Sequence, residues 1–458
     1  MTLEKILYAL ATVLCYALMC GAIAWQYRNR QRAAQRRVQA LLPATPGVPA
    51  WWVAYASQTG QAEELALQTA QALHTAGVPV RLAPLSQIRL EDLQQADRLL
   101  CVASTYGEGD PPDSAVPFAR QVMATAGASL SHLHVGLLAL GDRTYANFCG
   151  FGRALDQWLL SQGAQALFER IEVDKSDPQA LLRWRQHLGH LAGTSDLPDW
   201  EAPALEPWRL RTRLHLNPGS AGEPVHHLEL VPEAGAALPD WQAGDLVQIE
   251  VPGAPGEPRD YSIASVPQDG AVHLLVRQAR RADGSAGVAS GWLAQDARVG
   301  DTVRMRVRAH GGFRIADNAQ RALILIGNGT GLAGLRGHIR ARVAAGQGQA
   351  PLWLLFGERH ARCDAHYREE IDAWQREGRL ERVDWVFSRD QAERRYVQHA
   401  LAESAAQVKD WVARGAAIYV CGSLEGMAGE VNDTLQSILG EEALQQLAAE
   451  GRYRRDVY

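Results

Sequence analysis

Twice along this chain, short apolar runs alternate with helix-length amphipathic segments, and a block of strand-like alternation without helices separates the two stretches. This order constrains the fold more than any other feature, because strand–helix alternation implies a parallel sheet covered by helices on both faces. In the first stretch, 51–56, 78–82, 98–103 and 134–139 read as strands, with helices over 62–75, 114–126 and 150–161. In the middle block, 209–216, 225–230, 245–251, 272–277 and 302–308 alternate with a period of two and predict an antiparallel barrel. From Ala322 the first rhythm returns, with apolar runs at LeuIleLeuIle, 353–356, 383–387 and 417–421. The expected organisation is an anchor and tether over 1–50, an α/β module over 51–191 and a Pro- and acid-rich hinge over 192–207. A barrel over 208–318 and a second α/β module over 319–458 follow.

The N-terminus sets a different expectation. Ile6 to Tyr27 carry no charge, and a helix of that length rises roughly 30 Å, enough to span a bilayer core. Tyr8, Trp25 and Tyr27 suit the interfacial belts, and Arg28, Arg30, Arg32, Arg36 and Arg37 follow at once. A cleaved signal peptide would need positive charge before the apolar run, where only Lys5, offset by Glu4, stands. The expectation is a single-pass inner-membrane protein with its folded part in the cytoplasm. A net charge of -5 over 458 residues argues against a nucleic-acid partner. Six scattered cysteines without a CxxC pair predict free thiols and no bound metal.

Three loops of the first module carry chemistry. Ser57-Gln58-Thr59-Gly60-Gln61-Ala62 leaves the first strand and opens a helix, so hydroxyls and free N–H groups form a phosphate cradle. By itself such a turn is more often a simple cap. Ser104-Thr105-Tyr106-Gly107-Glu108-Gly109 and Gly141-Asp142-Arg143-Thr144-Tyr145-Ala146-Asn147-Phe148 leave two later strands. All three occupy the C-terminal ends of parallel strands, where such sheets place ligands, and the two tyrosines offer faces to a planar ring.

In the barrel block, Arg259, Tyr261 and Ser262 have the chemistry to pair a pyrophosphate, cover a flavin face and reach its N5. Gly287-Val288-Ala289-Ser290 precedes a short helix, another anion-accepting end. In the last block, Gly327-Asn328-Gly329-Thr330-Gly331 joins a strand to a helix, and its glycines allow close approach to a dinucleotide. Ser388, Arg389, Arg394, Arg395 and Tyr396 gather groups suited to a 2′-phosphate, as in NADPH, although a solvated basic patch has the same composition.

Taken together, residues 51–190 resemble a flavodoxin domain of the kind fused to reductases, and residues 208–458 resemble a ferredoxin–NADP reductase module. The whole is similar to diflavin reductases, in particular the flavoprotein subunits of NADPH–sulfite reductase. That resemblance implies that the first loop holds the FMN phosphate, that Tyr106 and Tyr145 flank the isoalloxazine, and that Gly107, Gly109, Gly141 and Asp142 shape the loops around it. It implies FAD in the barrel and NADPH in the last module. The ending Gly451-Arg452-Tyr453-Arg454-Arg455-Asp456-Val457-Tyr458 is especially specific: Tyr458 matches the terminal aromatic that covers the flavin and moves aside for nicotinamide. Ser262, Cys421 and Asp456 match the residues that help hydride transfer, while Cys421 also fits a plain buried thiol.

Three departures stand out. Asn147 replaces a frequent histidine, and Asn328 and Gly334 replace prolines. Residues 243–251 reach Arg259 within a few positions, leaving no room for the helical insert such reductases carry there.

The implied path runs from NADPH to FAD to FMN to an acceptor at the FMN module: a haem protein, a membrane partner or a ferric chelate. Glu108, Asp110 and Asp113 beside the FMN loop suit a basic acceptor surface. Service in a sulfite reductase complex, and a non-catalytic flavin-bearing sensor or scaffold, are the alternatives.

Overall fold

The computed structural model describes residues 50–458 apart from 126, 194–203, 234–235, 253, 282–283 and 347–349. The first unit is a parallel sheet of β1 (Trp51–Ala56), β2 (Val80–Pro84), β3 (Arg98–Ser104), β4 (His134–Gly141), β5 (Gln165–Ala166) and β6 (Ile171–Asp174). Its order is β2-β1-β3-β4-β5, with β6 also pairing with β4. Leu99, Cys101 and Ala103 of β3 pack with Phe118, Phe151 and Leu155 on one face, while Leu100 and Val102 meet Ala62, Leu65 and Trp184 on the other. Burial on both faces is why these strands read as continuous apolar runs. The helix expected over 114–126 is shorter, a turn at Asp113–Ala115 followed by Val116–Gln121. It ends where the N–H groups of Val122 and Met123 both bond to the Phe118 carbonyl.

The second unit is antiparallel: β7 (Glu206–His215), β8 (Val225–Pro232), β9 (Leu246–Val251), β10 (Ala254–Ser262), β11 (Val272–Arg277) and β12 (Thr302–Arg308). Its order is β10-β9-β12-β7-β8-β11, an antiparallel sheet as expected of the barrel, and among the described residues no ladder joins its edge strands β10 and β11. The reason lies just after Ser262. There Ile263 N–H bonds the Asp245 carbonyl at 3.0 Å and Ala264 N–H the His273 carbonyl at 2.8 Å. The Ser265 hydroxyl then bonds the Ala271 carbonyl and accepts from His273 N–H, both at 2.9 Å, so a side-chain clasp stands where a ladder would close the sheet.

The third unit is a parallel sheet of β13 (Leu323–Asn328), β14 (Leu352–Glu358), β15 (Arg382–Phe387), β16 (Ala417–Gly422) and β17 (Tyr453–Val457), ordered β15-β14-β13-β16-β17. Helix Leu332–Ala344 packs against it, and Val225, Ala264 and Leu275 of the second unit share the same core.

A polar joint completes the contact between these two units. His227 Nδ1 lies 2.8 Å from Tyr367 Oη, and Arg336 bonds Glu370 at 2.7 Å and the Ala264 carbonyl at 2.6 Å. Ligand atoms of His227, Glu229 and His273 lie within 4.8 Å of one another. The Arg336 guanidinium, however, stands 3.3 Å from His273 Nδ1 and can only donate. The His273 proton therefore sits on Nε2, which faces Glu229 Oε1 at 3.7 Å without a hydrogen bond, while His227 Nε2 meets the same carboxylate oxygen at 3.3 Å. Burial, helped by His227 and Arg336, pushes His273 down from 6.5 to about 4.

A histidine that protonates more readily when unfolded withdraws stability as pH falls from its unfolded to its folded pKa. Unfolding titrations are thus expected to show loss of stability between pH 6.5 and about 4. This residue contributes about 3 kcal/mol at most, and His273→Gln flattens the slope. An unchanged slope in that variant would remove His273 as its source.

The membrane assignment is corrected. A span needs about 20 apolar residues. The helices Gln61–Thr75 and Pro178–Ala192 have 15 residues each and pack on the first sheet, and no described helix is long and apolar enough to cross a membrane. Segment 6–27, which carried that expectation, lies outside the described residues, as does most of the expected hinge.

Candidate functional site

Because β1, β3 and β4 are parallel neighbours, their C-terminal loops emerge at one edge of the first sheet. The Ser57 hydroxyl accepts Gly60 N–H at 2.9 Å, and Gly60 turns into the helix with φ at 94°. An added Cβ there would also lie 2.6 Å from the Ala309 carbonyl oxygen. The helix then begins at Gln61 without a side-chain cap, which leaves first-turn N–H groups beside Thr59, Gln61 and Ala62 for an anion.

Hydrogen bonds tie the loops to one another. Gln58 Oε1 accepts Asp113 N–H at 2.9 Å, and the Ser114 hydroxyl donates to the Ser57 carbonyl at 3.0 Å. Asn147 Nδ2 donates to the Glu108 carbonyl at 2.6 Å, so the residue standing in for histidine joins the second and third loops. The Glu108 carboxylate accepts Ala146 N–H at 3.1 Å, and the Asp142 carboxylate accepts from Thr144 N–H at 2.9 Å. A Cβ on Gly109, whose φ is +120°, would meet Asn147 Cβ at 2.9 Å.

Thr105 Oγ1 and Tyr106 Oη are buried and have no hydrogen-bond partner, as expected of groups that face a polar ring system when it is bound. Burial also raises the Tyr106 phenol, against the pull of Arg455. Tyr145 is 39% exposed and available as a second face. Phe148 instead packs with Ala139 and Cys149, beneath the Arg143 guanidinium.

A second cluster forms where β10 meets β16 and β17. The Ser262 hydroxyl donates to Asp456 Oδ2 at 2.7 Å, and Cys421 Sγ lies 3.7 Å from the same oxygen. All three side chains are buried. Burial, with the carboxylate beside it, pushes the Cys421 thiol well up, so it stays neutral and is not a nucleophile. Tyr458 N–H bonds the Gly422 carbonyl at 3.1 Å, and its hydroxyl reaches Thr330 Oγ1 at 3.3 Å while the residue remains 55% exposed. Strand alternation puts Arg259 and Tyr261 on the face opposite Ser262. Gly287 opens the short helix Val288–Gly291, in which Ala289 is buried and Ser290 Oγ accepts Ala279 N–H at 3.0 Å.

A cleft of about 450 Å³ opens at the C-terminal ends of β13, β14 and β15. Gly329, Ser388, Arg389 and Tyr396 line it, as does Arg395, which pairs with Glu403; the exposed Arg394 is outside the lining. Gly327 and Gly331 press the loop onto β16, where a Cβ would lie 2.5 Å and 2.1 Å from the Cys421 carbonyl oxygen. Asn328 Oδ1 accepts Ser423 N–H at 3.0 Å, an anchor that a proline there could not supply. Sequence patterns missed Arg277, which ends β11, lines the cleft and pairs with Glu358 across the units. A single arginine closing an apolar strand carries no motif.

Comparison with known proteins agrees with these sites. Residues 53–187 match the family model described as flavodoxin, and 325–433 match the oxidoreductase NAD-binding domain. The sulfite reductase [NADPH] flavoprotein alpha-component of Neisseria meningitidis (serogroup A) is 27% identical over 88% of each chain. Proteins of the same name from Bacillus subtilis and Serratia proteamaculans are 27% identical over 89% of each chain and 29% identical over 92% of each. These alignments run to 535, 543 and 550 positions, more than the 458 residues here, so the relatives carry residues without a counterpart in this chain. The matches support the diflavin reductase family and an NADPH-dependent oxidoreductase, with FMN in the flavodoxin module and FAD and NADPH in the reductase module.

Proposed function

We propose that the chain oxidises NADPH at the Ser262–Cys421–Asp456 cluster and delivers the electrons, through its flavodoxin module, to a separate haem protein. The observation that carries this reading is the single Asp456 oxygen placed 2.7 Å from a hydroxyl and 3.7 Å from a neutral thiol, beneath the terminal tyrosine. When bound, FAD supplies acceptance of a hydride and FMN supplies one-electron delivery. The protein's part is to bind, orient and exclude water. Asp456 fixes the Ser262 hydroxyl, Cys421 fills the pocket without charge, and Tyr458 shields the site until nicotinamide displaces it.

Residues 51–191, 208–318 and 319–458 are the proposed FMN, FAD and NADPH modules. Ser57 to Ala62 would take the FMN phosphate, with Tyr106 and Tyr145 flanking the ring. Arg259, Tyr261 and the Gly287–Ser290 turn would hold FAD, and Ser388, Arg389 and Tyr396 the 2′-phosphate. Removing the shield is expected to relax selectivity: Tyr458→Ala should use NADH at least about tenfold better relative to NADPH. Unchanged relative kcat/KM values would count against gating by Tyr458.

The names of the relatives favour a sulfite-reducing partner subunit as the acceptor. NADPH-dependent reduction of such a subunit by the purified chain tests this. Reduction of ferric citrate without reduction of any haem protein would favour the chelate instead. A sensor or scaffold role predicts that NADPH leaves the flavin oxidised.

A further inference from the structure

The C-terminal strand touches both flavin sites. In β17 neighbouring side chains point to opposite faces. Asp456 turns toward Ser262 and Cys421, while Arg455 turns toward the flavodoxin module. Arg455 Nε donates to Asp113 Oδ2 at 3.0 Å, and Nη2 pairs with the other carboxylate oxygen, forming a two-point fork. The guanidinium carbon stands 5.4 Å from the Tyr106 ring centre and 5.6 Å from that of Tyr453. The Arg455 carbonyl accepts from Gln58 Nε2 at 3.2 Å, and Gln58 also bonds Asp113. One residue thus contacts the first and second FMN loops.

Other links between the modules are differently placed. Arg120–Glu441, at 3.0 Å, is exposed on both sides, so water and salt screen it. Arg306–Glu64, at 3.2 Å, holds the helix behind the phosphate turn. His310 Nε2 meets the Gln58 carbonyl at 2.9 Å. The Arg455–Asp113 side chains are only 18% and 19% exposed, and a desolvated pair that loses one partner leaves a stranded charge.

We propose that Arg455 is a positioning residue for transfer between the flavin sites: its fork to Asp113 docks the Tyr106 loop on the strand whose next residue is Asp456. This rests on the two-flavin reading above. The test uses Arg455→Glu, Asp113→Arg and the combined charge swap in the full chain. Small-angle scattering should show each single variant expanded and the swap compact again. With FAD still bleached by NADPH at the parental rate, FMN reduction should slow about tenfold or more in the single variants and recover in the swap.

Unchanged scattering in the single variants, or no recovery in a swap that retains FMN, would overturn docking. Loss of FMN from the single variants would assign Arg455 to cofactor retention and overturn it too. Failure of NADPH to bleach FAD in the unaltered protein would instead sink the two-flavin reading, while the scattering still decides whether Arg455 docks the modules.

Discussion

Asp456→Asn is expected to slow NADPH reduction of the bound flavin by on the order of a hundredfold, with flavin content and fold retained. In the native site a single carboxylate oxygen accepts the Ser262 hydroxyl and lies beside the Cys421 thiol. An amide keeps the shape but removes the charge and offers N–H groups on one side. The hydroxyl then loses a charge-assisted acceptor in a buried place, where orientation depends on such bonds. Stopped-flow bleaching after mixing with NADPH reads the rate directly. A parental rate in this variant would reduce Asp456 to a packing residue of β17.

Gly331→Ala should weaken NADPH binding most among the loop glycines. Its Cβ would lie 2.1 Å from the Cys421 carbonyl oxygen and 2.4 Å from the carbonyl carbon, both backbone atoms that cannot rotate away. The loop must retreat from β16, at about 1–3 kcal/mol for such overpacking. If that strain falls on the bound state, affinity drops roughly tenfold to a hundredfold. Gly429→Ala is the control, since nothing lies within 4 Å of its added Cβ. Titration with NADP+ compares the two, and equal affinities would show that the loop does not depend on this close approach.

Much of this architecture is legible in the chain because burial is periodic. β12 falls on 302–308 because its inward Val303 and Met305 are apolar and their neighbours polar, and β11 falls on 272–277 as an apolar run whose Leu274 and Leu275 pack into cores on opposite faces. The three FMN-type loops are legible because each follows a parallel strand. β17 is not: TyrArgArgAspVal is polar, and it becomes a strand by pairing with β16, where Tyr453 is buried and Asp456 finds its partners. The lack of a ladder between β10 and β11 is equally hidden, because bonds of Ile263, Ala264 and Ser265 to residues outside their own strand take its place. Arg455 and Asp113 are 342 positions apart, and no local pattern announces that they pair.

The most direct test of the central claim is an anaerobic NADPH titration of the purified chain, followed by release and identification of its cofactors. Equimolar FMN and FAD, both bleached by NADPH before denaturation, is the predicted result. FAD without FMN, or flavin that NADPH leaves oxidised, would contradict it.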